Sequence, residues 1–334
     1  VDVQKCNYAT YKALKASGLV HEAESPVSLA KAIKNSTETA GIAAAHVRDG
    51  VAVVRYLRWL EQQVAAGAEI TELSAAAHLQ RLREEQQHYQ GLSFETISGF
   101  GKNGAVIHYA PSAATDTRIT ADGIYLCDSG AQYLDGTTDI TRTVCFGTPT
   151  AFQKEAFTRV LQGHICLDSV VFPDGTVGPV LDVLARTALW QQGLDYQHGT
   201  GHGVGAFLNV HEGPQGISRG LRPSRLLTTA LKPGMTVTNE PGYYHEGEFG
   251  IRIENVMEVR LAETPNNFAG TKFYCMAPVT MCPMQKKMVA VELLTEKECI
   301  WWNEYHAKVF AALAPELQKQ EPEALAWLQK DCQP

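Results

Sequence analysis

The chain has 334 residues, of which 45% are hydrophobic and 19% are charged, and a formal net charge of −7. This size allows one large domain or two smaller ones, and the composition predicts a compact soluble protein rather than a disordered or fibrous one. Because no run of basic residues can neutralise phosphates, nucleic acid is not an expected partner. A membrane is not expected either, since no apolar stretch approaches the roughly 20 residues that span a bilayer.

The first helical pattern extends from Pro26 to about Gln90. Along one face of it, apolar residues recur at every third or fourth position, at Val53, Leu57, Leu60 and Val64. A second helix is predicted to begin near Thr71, which is an acceptable N-cap. Strand-like segments punctuated by glycines follow at 94–97, 105–109, 124–128 and 140–144.

The same order of elements then restarts. Thr150 and Gln153 form a predicted capping box at the start of a helix. Pro179 suits the first position of another helix, and Gly193 is placed to end it. Strand-like segments return at 236–239 and 251–259.

Two helices followed by strands, twice over, predict an α+β fold of two similar halves whose sheets join under a layer of helices. The cleft between the halves is then the natural site for a ligand. The alternative is two independent domains with a linker near 147–150. It is disfavoured because the candidate metal-binding residues divide between the halves.

Two aspartates in the first half are candidate metal ligands. Asp128 ends an apolar strand whose alternation places it on the same face as Leu126, and a carboxylate that points toward a core is costly unless it is paired or binds a cation. Asp139 follows in the sequence Asp-Ile-Thr-Arg-Thr. Each has a simpler explanation: Asp128 could belong to a strand-end turn, and Asp139 could be a solvated carboxylate beside Arg142.

A glycine-rich segment at 198–214 carries three of the eleven histidines of the chain, His198, His202 and His211. The first two have i, i+4 spacing, but the interleaved glycines make a helix costly, so these two need not project together as in an H-E-x-x-H motif. We interpret the glycines as allowing the backbone to lie close to a ligand. A loop with purely structural histidines is the weaker alternative.

Two glutamates in the second half complete the candidate set. Glu240 closes a strand before a Pro-Gly turn, and Glu254 lies in a strand with Arg252 on the same face. A surface ion pair between Arg252 and Glu254 is the simpler alternative for the latter. Four carboxylates and one imidazole can together bind two divalent metals. These five candidates are Asp128, Asp139, His202, Glu240 and Glu254.

On these motifs the sequence resembles the X-prolyl aminopeptidase (aminopeptidase P) family, specifically its cytosolic branch, within the pita-bread metallopeptidases. The resemblance runs from about Ser25 to the C-terminal region, including 278–298 and 301–306. It implies a pita-bread α+β fold with two pseudo-twofold-related halves and a curved antiparallel sheet covered by helices. It also implies that 25–334 is a catalytic domain with a C-terminal extension. We expect 1–24 to be the remnant of an upstream region, because the chain begins at Val1 and the N-terminal domains of the family are absent.

The resemblance implies a dinuclear centre with manganese as the usual ion, although cobalt or zinc could occupy the same donors. Asp128 would serve one metal, His202 and Glu240 would serve the other, and Asp139 and Glu254 would bridge the two. Predicted catalytic residues are His108, His198, His211 and Glu240. Predicted substrate-binding residues are His108, His198, His211, Tyr244 and Arg252.

The donor set suits peptide hydrolysis. Two divalent ions cancel about four negative charges, and metals about 3.5–4 Å apart lower the pKa of a bound water and polarise the carbonyl that it attacks. We therefore expect a metal-bridging hydroxide to attack the first peptide carbonyl. Glu240 would shuttle the proton, and His211 with His108 would support the tetrahedral charge.

The predicted substrates are peptides with proline at the second position. An X-Pro bond is a tertiary amide without an N–H, and the proline ring fixes a rigid, kinked shape. A pocket near His198, Tyr243 and Tyr244 could recognise that shape. Within the same fold a prolidase or a methionine aminopeptidase is the alternative, and a non-enzymatic peptide-binding or protein-binding module is another.

Three further expectations concern the context of the chain. Eight widely spread cysteines without a C-x-x-C pair predict reduced thiols and a cytoplasmic protein. The family resemblance implies a homodimer. The stretch 216–231, with Arg219, Arg222 and Arg225, is slightly longer and more basic than the family pattern, which predicts altered access to the site.

Overall fold

The computed structural model describes residues 1–220 and 227–333, so Arg222 and Arg225 lie outside the described residues. The described part contains eight α-helices: α1 Tyr8–Ser17, α2 Pro26–Ala32, α3 Ser36–Ala65, α4 Glu72–Glu84, α5 Ala151–Asp168, α6 Gly178–Trp190, α7 Glu296–Gln320 and α8 Pro322–Asp331. Within the described ranges, short 3₁₀ helices include Gly101–Ala105, Lys286–Met288 and Val291–Leu293.

The same residues contain fourteen strands, and their pairings within the sheets are antiparallel. They are β1 Tyr89–Leu92, β2 Ile97–Phe100, β3 Ile124–Ser129, β4 Ala131–Tyr133, β5 Gly136–Thr137, β6 Ile140–Cys145, β7 Val171–Pro173, β8 Gly201–His202, β9 Gly216–Ile217, β10 Thr236–Asn239, β11 Gly242–His245, β12 Phe249–Arg252, β13 Asn255–Leu261 and β14 Phe273–Pro278. The first half carries the sheet β2-β3-β6, and the second half carries β10-β13-β14-β7. Smaller sheets are β1-β4-β5, β8-β9 and β11-β12.

The predicted helix starts are largely confirmed, and their caps explain why. Thr71 caps α4, and Thr150 with Gln153 forms the predicted capping box of α5. Pro179 lies in the first turn of α6, and Gly193 follows the end of that helix with φ +70°, a conformation that glycine adopts at little cost. The helical pattern from Pro26 is interrupted, however, because the short α2 is separate from α3.

Two predicted strands in the first half are wrong in position or type. The strand predicted at 94–97 is instead β2, which begins at Ile97. The segment 105–109 is no strand: a 3₁₀ helix ends at Ala105 and a turn follows it. Close packing explains the turn, since a Cβ on Gly250 would lie 1.7 Å from the Gly104 carbonyl oxygen.

Each half buries one face of its sheet under helices. In β3, Tyr125 and Cys127 pack in one cluster with the apolar residues of α3 and α4, whereas Leu126 and Asp128 occupy the opposite face. The placement of Asp128 on the Leu126 face is therefore confirmed. In the second half, apolar residues of α6 pack against β10, β13 and β14.

A third cluster joins α5 to the C-terminal helices α7 and α8 and to β12. It includes Leu161, Val309 and Leu313, all fully buried, and burial of one such side chain contributes roughly 1.5–3 kcal/mol. Among the described residues, none of the helices is both long enough and apolar enough to cross a membrane.

The two halves meet through hydrogen bonds between β6 and the segment around β12. The backbone N–H of Glu254 donates to the Thr141 carbonyl at 3.2 Å. The Thr143 hydroxyl donates to the Arg252 carbonyl at 2.9 Å and accepts from the Arg252 N–H at 3.0 Å. Two independent domains with a linker near 147–150 are therefore the wrong interpretation. The ends of the two sheets are fixed against each other.

Candidate metal centre and cleft

A cavity of about 800 Å³ lies where the two sheets meet, and residues of both halves line it. All five predicted metal ligands face this cavity: Asp128, Asp139, His202, Glu240 and Glu254. The predicted substrate-side residues His108, His198, His211 and Arg252 also line it. The sequence pattern therefore selected residues that are far apart in the chain and close in space.

Strand register explains why the carboxylates converge. In the second sheet Asn239 pairs with Asn255, so Glu240 and Glu254 are the next residues beyond the same pair. In the first sheet Asp128 pairs with Thr141, and Asp139 immediately precedes β6. Each half thus presents two carboxylates at the end of its sheet.

The donor atoms lie within the distance that one metal ion can bridge. Asp139, His202 and Glu254 each offer a ligand atom within 4.8 Å of the others. The Nε2 atom of His202 lies 3.5 Å from Asp139 Oδ2 and 3.7 Å from Glu240 Oε1. The other ring nitrogen, Nδ1, lies 3.0 Å from the Gly203 carbonyl, to which it donates as an N–H. This bond leaves Nε2 free to act as a ligand.

Two glycines that flank His202 help to position it. A Cβ on Gly201 would lie 2.0 Å from the Thr238 carbonyl oxygen, and one on Gly203 would lie 2.0 Å from that of Glu212. These glycines therefore allow close approach to neighbouring backbone, and Gly201 with Gly199 also lines the cavity. The resulting short strand β8 pairs with β9 and holds His202 beside β10.

The carboxylates crowd one another. Burial raises the pKa of Asp139 to about 6 and that of Glu240 to about 7. Burial, with the charges of Asp139 and Asp128, holds the pKa of Glu254 well above its usual range. Burial lowers the pKa of His202, but the bond to Asp139 and the charge of Glu240 outweigh this effect and raise it to about 9. These raised pKa values show that the buried carboxylates have too little positive charge nearby to balance them.

Asp128 shows the same deficit in its hydrogen bonds. Its Oδ2 accepts from Arg252 Nη2 at 2.6 Å, while its buried Oδ1 has no hydrogen-bond partner among the described residues. A buried carboxylate oxygen without a partner is costly. The surface ion pair between Arg252 and Glu254 is wrong, because both residues are 2% exposed and Arg252 is bonded to Asp128 instead.

Arg252 also begins a chain of bonds that ends at His198. Its Nη1 donates to the Tyr244 hydroxyl at 2.6 Å, and that hydroxyl lies 2.8 Å from His198 Nε2. His198 Nδ1 lies 2.8 Å from the Gly199 carbonyl, so it carries the proton and Nε2 accepts from Tyr244. Burial and the charge of Arg252 lower the pKa of His198 to about 3.

The other two histidines of the cleft have their ring nitrogens free. His211 packs edge to face against His202 with ring centroids 4.1 Å apart, and burial with the charge of His202 lowers its pKa to about 4. His108 is exposed on the cavity wall. Neither imidazole makes a hydrogen bond with the residues that the structure describes.

Sequence reasoning missed the apolar part of the cavity wall. Phe94, Ile97, Ile107, Val210 and Pro214 line it, together with Gln4 and Lys5 of the N-terminal segment. No motif marks these residues, since apolar positions in loops resemble ordinary packing. The residues that line the cavity include neither Tyr243 nor Tyr244, although the Tyr244 hydroxyl bonds to His198, which does line it. Tyr243 faces away from the cleft and packs against Phe152 and Phe249.

Fold and site together define an α+β protein with an acidic cleft built to bind divalent cations between two halves. Comparisons with known proteins give the family. Residues 40–260 match the model of metallopeptidase family M24, and residues 272–334 match the C-terminal region of that family. The chain belongs to metallopeptidase family M24. The similar proteins described next confirm the resemblance to X-prolyl aminopeptidases and the predicted pita-bread α+β fold.

Among similar proteins is a probable Xaa-Pro aminopeptidase P of Laccaria bicolor, 56% identical over 93% of this chain and 48% of its own length. Aminopeptidase P2 of Arabidopsis thaliana is 52% identical over 91% of this chain and 42% of its own. The crystal structure of a Caenorhabditis elegans X-prolyl aminopeptidase, described as a cytosolic enzyme with a di-nuclear active site, superposes with a TM-score of 0.89 at 42% identity, covering 94% of this chain and 50% of that one. The chain spans about half the length of the curated relatives it matches.

Proposed function

We propose that this protein is a metal-dependent exopeptidase that releases the N-terminal residue from peptides with proline at the second position. The observation that carries the proposal is the convergence of four carboxylates and His202 from both halves on one cavity. Similarity to proteins named Xaa-Pro aminopeptidase, at 56% and 52% identity, supports the substrate class. Because those relatives are about twice as long, the activity of this chain alone requires a direct test.

Two divalent ions fit the donor set. The unpartnered Asp128 Oδ1 and the raised pKa values of Asp139 and Glu240 mark places where added positive charge is favourable. Asp128 would hold one ion, His202 and Glu240 would hold the other, and Asp139 and Glu254 would contribute to both. Oxygen-rich donors with one imidazole favour manganese, with cobalt or zinc as substitutes. When bound, such ions supply an activated water and a Lewis acid for the peptide carbonyl.

The chain's own residues then handle protons and charge. Glu240 is the carboxylate placed to accept a proton from the attacking water and to return it to the leaving amine. His211 and His108 can each donate one ring N–H to the carbonyl oxygen as it gains charge. His198 is held by Tyr244 and Gly199, so it contributes a neutral, fixed ring rather than a free donor.

Recognition of proline is assigned to the apolar wall beside these histidines. Ile97, Ile107, Val210 and Pro214 line the cavity and offer a surface against which a rigid pyrrolidine ring can pack. Packing against this wall does not require an N–H donor on the scissile amide, and the X-Pro amide has none. Arg252, with its hydrogen bonds directed to Asp128 and Tyr244, shapes this wall rather than reaching for substrate.

The test compares peptides at matched concentration. The metal content of the purified chain is measured, and Mn²⁺-loaded protein is incubated with X-Pro-Y-Z, X-Ala-Y-Z and X-Pro. We expect release of the first residue from X-Pro-Y-Z alone. Cleavage restricted to X-Pro would make the protein a prolidase, a candidate favoured by structural similarity to the prolidase of Pyrococcus furiosus, with a TM-score of 0.65 at 27% identity. Metal binding without any cleavage would favour a peptide-binding module.

We further propose a cytoplasmic homodimer. All eight cysteines are free thiols, which supports a reducing compartment, and the similar Caenorhabditis elegans protein is described as cytosolic. The homodimer depends on the family resemblance. Light scattering on the purified chain tests it, and a monomer at micromolar concentration would contradict it.

A further inference from the structure

Arg142 is a buried cation directly behind the acidic cleft. It lies on β6, is 3% exposed, and has no carboxylate within ion-pair distance among the described residues. Its Nη1 donates to the carbonyl oxygen of Glu254 at 2.7 Å and to that of Thr141 at 2.9 Å. A buried charge that contacts only neutral oxygens is costly, so stability alone does not explain why Arg142 is buried here.

The bonds of Arg142 reach a third part of the chain, the C-terminal region. Its Nη2 donates to the Cys282 carbonyl at 2.7 Å and to the Tyr305 hydroxyl at 2.9 Å, and its Nε donates to the Pro283 carbonyl at 3.0 Å. The planar guanidinium presents these donors in one fixed fork. Arg142 therefore sets the distance between Glu254 and a region that does not line the cleft.

Tyr305 completes the connection from helix α7. Its hydroxyl accepts from Arg142 and lies 2.9 Å from the Cys282 carbonyl, to which it donates. Its ring is 4% exposed and stacks on Trp301 with centroids 5.2 Å apart and planes 5° from parallel. Stacking and burial leave this hydroxyl little freedom, so its position is transmitted to the guanidinium.

Glu254 is the residue on which these bonds act. Its backbone N–H donates to the Thr141 carbonyl, its backbone carbonyl accepts from Arg142, and its side-chain Oε2 accepts from the Thr141 hydroxyl at 2.6 Å. The backbone is thus held on both sides of the Cα atom. An error of about 0.5 Å in such a ligand is enough to impair a metal site.

We propose that Tyr305 and Arg142 are positioning residues that aim Glu254 at the metals, so that the C-terminal region tunes metal affinity without contacting metal or substrate. This inference rests on the metal site of the proposed function. Outer-shell partners of this kind typically change metal affinity by about 10–100-fold when altered.

The test uses Tyr305→Phe, which removes one hydroxyl and keeps the stacked ring. The whole chain is loaded with Co²⁺, the visible spectrum is recorded, and the rate at which excess EDTA removes Co²⁺ is measured. We expect a shifted spectrum and Co²⁺ loss about tenfold faster than in wild type. Arg142→Lys, which keeps the charge and loses the fork, should accelerate loss further.

Tyr56→Phe is the matched control. Tyr56 is also fully buried and its hydroxyl is bonded to that of Tyr125 at 2.7 Å, but it lies in the α3–α4 cluster. The Co²⁺ spectrum of Tyr56→Phe should match that of wild type. Its rate of Co²⁺ loss to EDTA should stay within twofold of the wild-type rate. Equal acceleration by both variants, or none by Tyr305→Phe, overturns the proposal.

The proposed function can fail separately. Wild-type protein that takes up Co²⁺ but leaves X-Pro peptides intact contradicts the function, while the comparison of release rates still decides the role of Tyr305. Wild-type protein that takes up no Co²⁺ overturns both.

Discussion

The two walls of the cleft differ in how they carry charge. The acidic wall, with Asp139, Glu240 and Glu254, is made of residues at strand ends, and burial raises the pKa of each. The imidazole wall, with His198 and His211, lies on irregular backbone, and burial lowers both pKa values. One wall needs added positive charge and the other stays neutral. A reaction that brings cations to one wall and develops an anion at the other fits both.

The largest expected effect comes from neutralising the acidic wall with Glu254→Gln. We expect metal binding to be lost and peptide hydrolysis to fall by about 10³-fold. The metal-free protein should gain stability, because the folded chain raises the pKa of Glu254 and must take up a proton that the unfolded chain releases above pH 4.5. This gain should grow as the pH rises above 4.5 toward the raised pKa of Glu254 in the folded chain. Metal analysis and thermal unfolding after chelation measure the two effects.

Glu258→Gln serves as the control on β13, the strand that begins directly after Glu254. Glu258 pairs with Arg260 at 2.7 Å, outside the cleft, so its variant should keep metal and activity. If the Glu254→Gln protein retains both ions, the acidic wall is not the metal site. The proposed contrast between the acidic and imidazole walls is then wrong.

The imidazole wall is tested by His198→Ala. Turnover of X-Pro-Y peptides should fall by roughly 10²-fold, since the fixed ring and its bond to Tyr244 are lost. Metal content should stay near normal. His245→Ala is the control, because His245 lies on the β11–β12 hairpin that carries Tyr244 and its side chain is 37% exposed. If the His198→Ala variant loses metal as well as activity, His198 contributes to metal binding. The imidazole wall would then not be separate from the metal site.

A third prediction concerns pH and sharpens the same contrast. In the metal-free chain His202 has a pKa of about 9 and Glu240 one of about 7, so protons partly occupy the acidic wall at neutral pH. Metal binding must displace them. Affinity should therefore rise with pH between 6 and 8.5, by about tenfold per pH unit for each proton released. Calorimetry in buffers of different ionisation enthalpy counts the protons, and an affinity independent of pH would contradict the assignment.

The sequence predictions are confirmed where the spacing of apolar residues and the chemistry of individual side chains indicate the same structure. Alternation along β3 placed Asp128 on the inner face, and the cap at Thr150 located α5. Each aspartate and glutamate had a simpler explanation by itself, and only the combination pointed to metals. The structure adds the reason for that combination, because Glu240 and Glu254 flank one strand pair and could not be seen as neighbours without its register.

Other features depend on tertiary contacts that no local pattern encodes. The segment 105–109 has strand-like residues, yet close backbone packing at Gly104 and Gly250 turns it into a 3₁₀ helix and a turn. Arg142 could only be seen as a possible partner of Asp139, whereas it bonds to the C-terminal region more than a hundred residues away. Which face of β11 meets the cleft was also open.

The face of β11 that meets the cleft is tested by Tyr244→Phe, with Tyr243→Phe as its matched control. This pair gives the smallest predicted effect. Adjacent residues in a strand point to opposite faces, so Tyr244 bonds to His198 while Tyr243 lies 3.2 Å from His245 Nδ1 on the other side. Loss of the Tyr244 hydroxyl should lower kcat/KM by about three- to tenfold, the value of one or two hydrogen bonds. Tyr243→Phe should change it less than twofold. Equal effects from both would mean that the imidazole wall is not held by this hydroxyl, and that its neutral ring is fixed by burial alone.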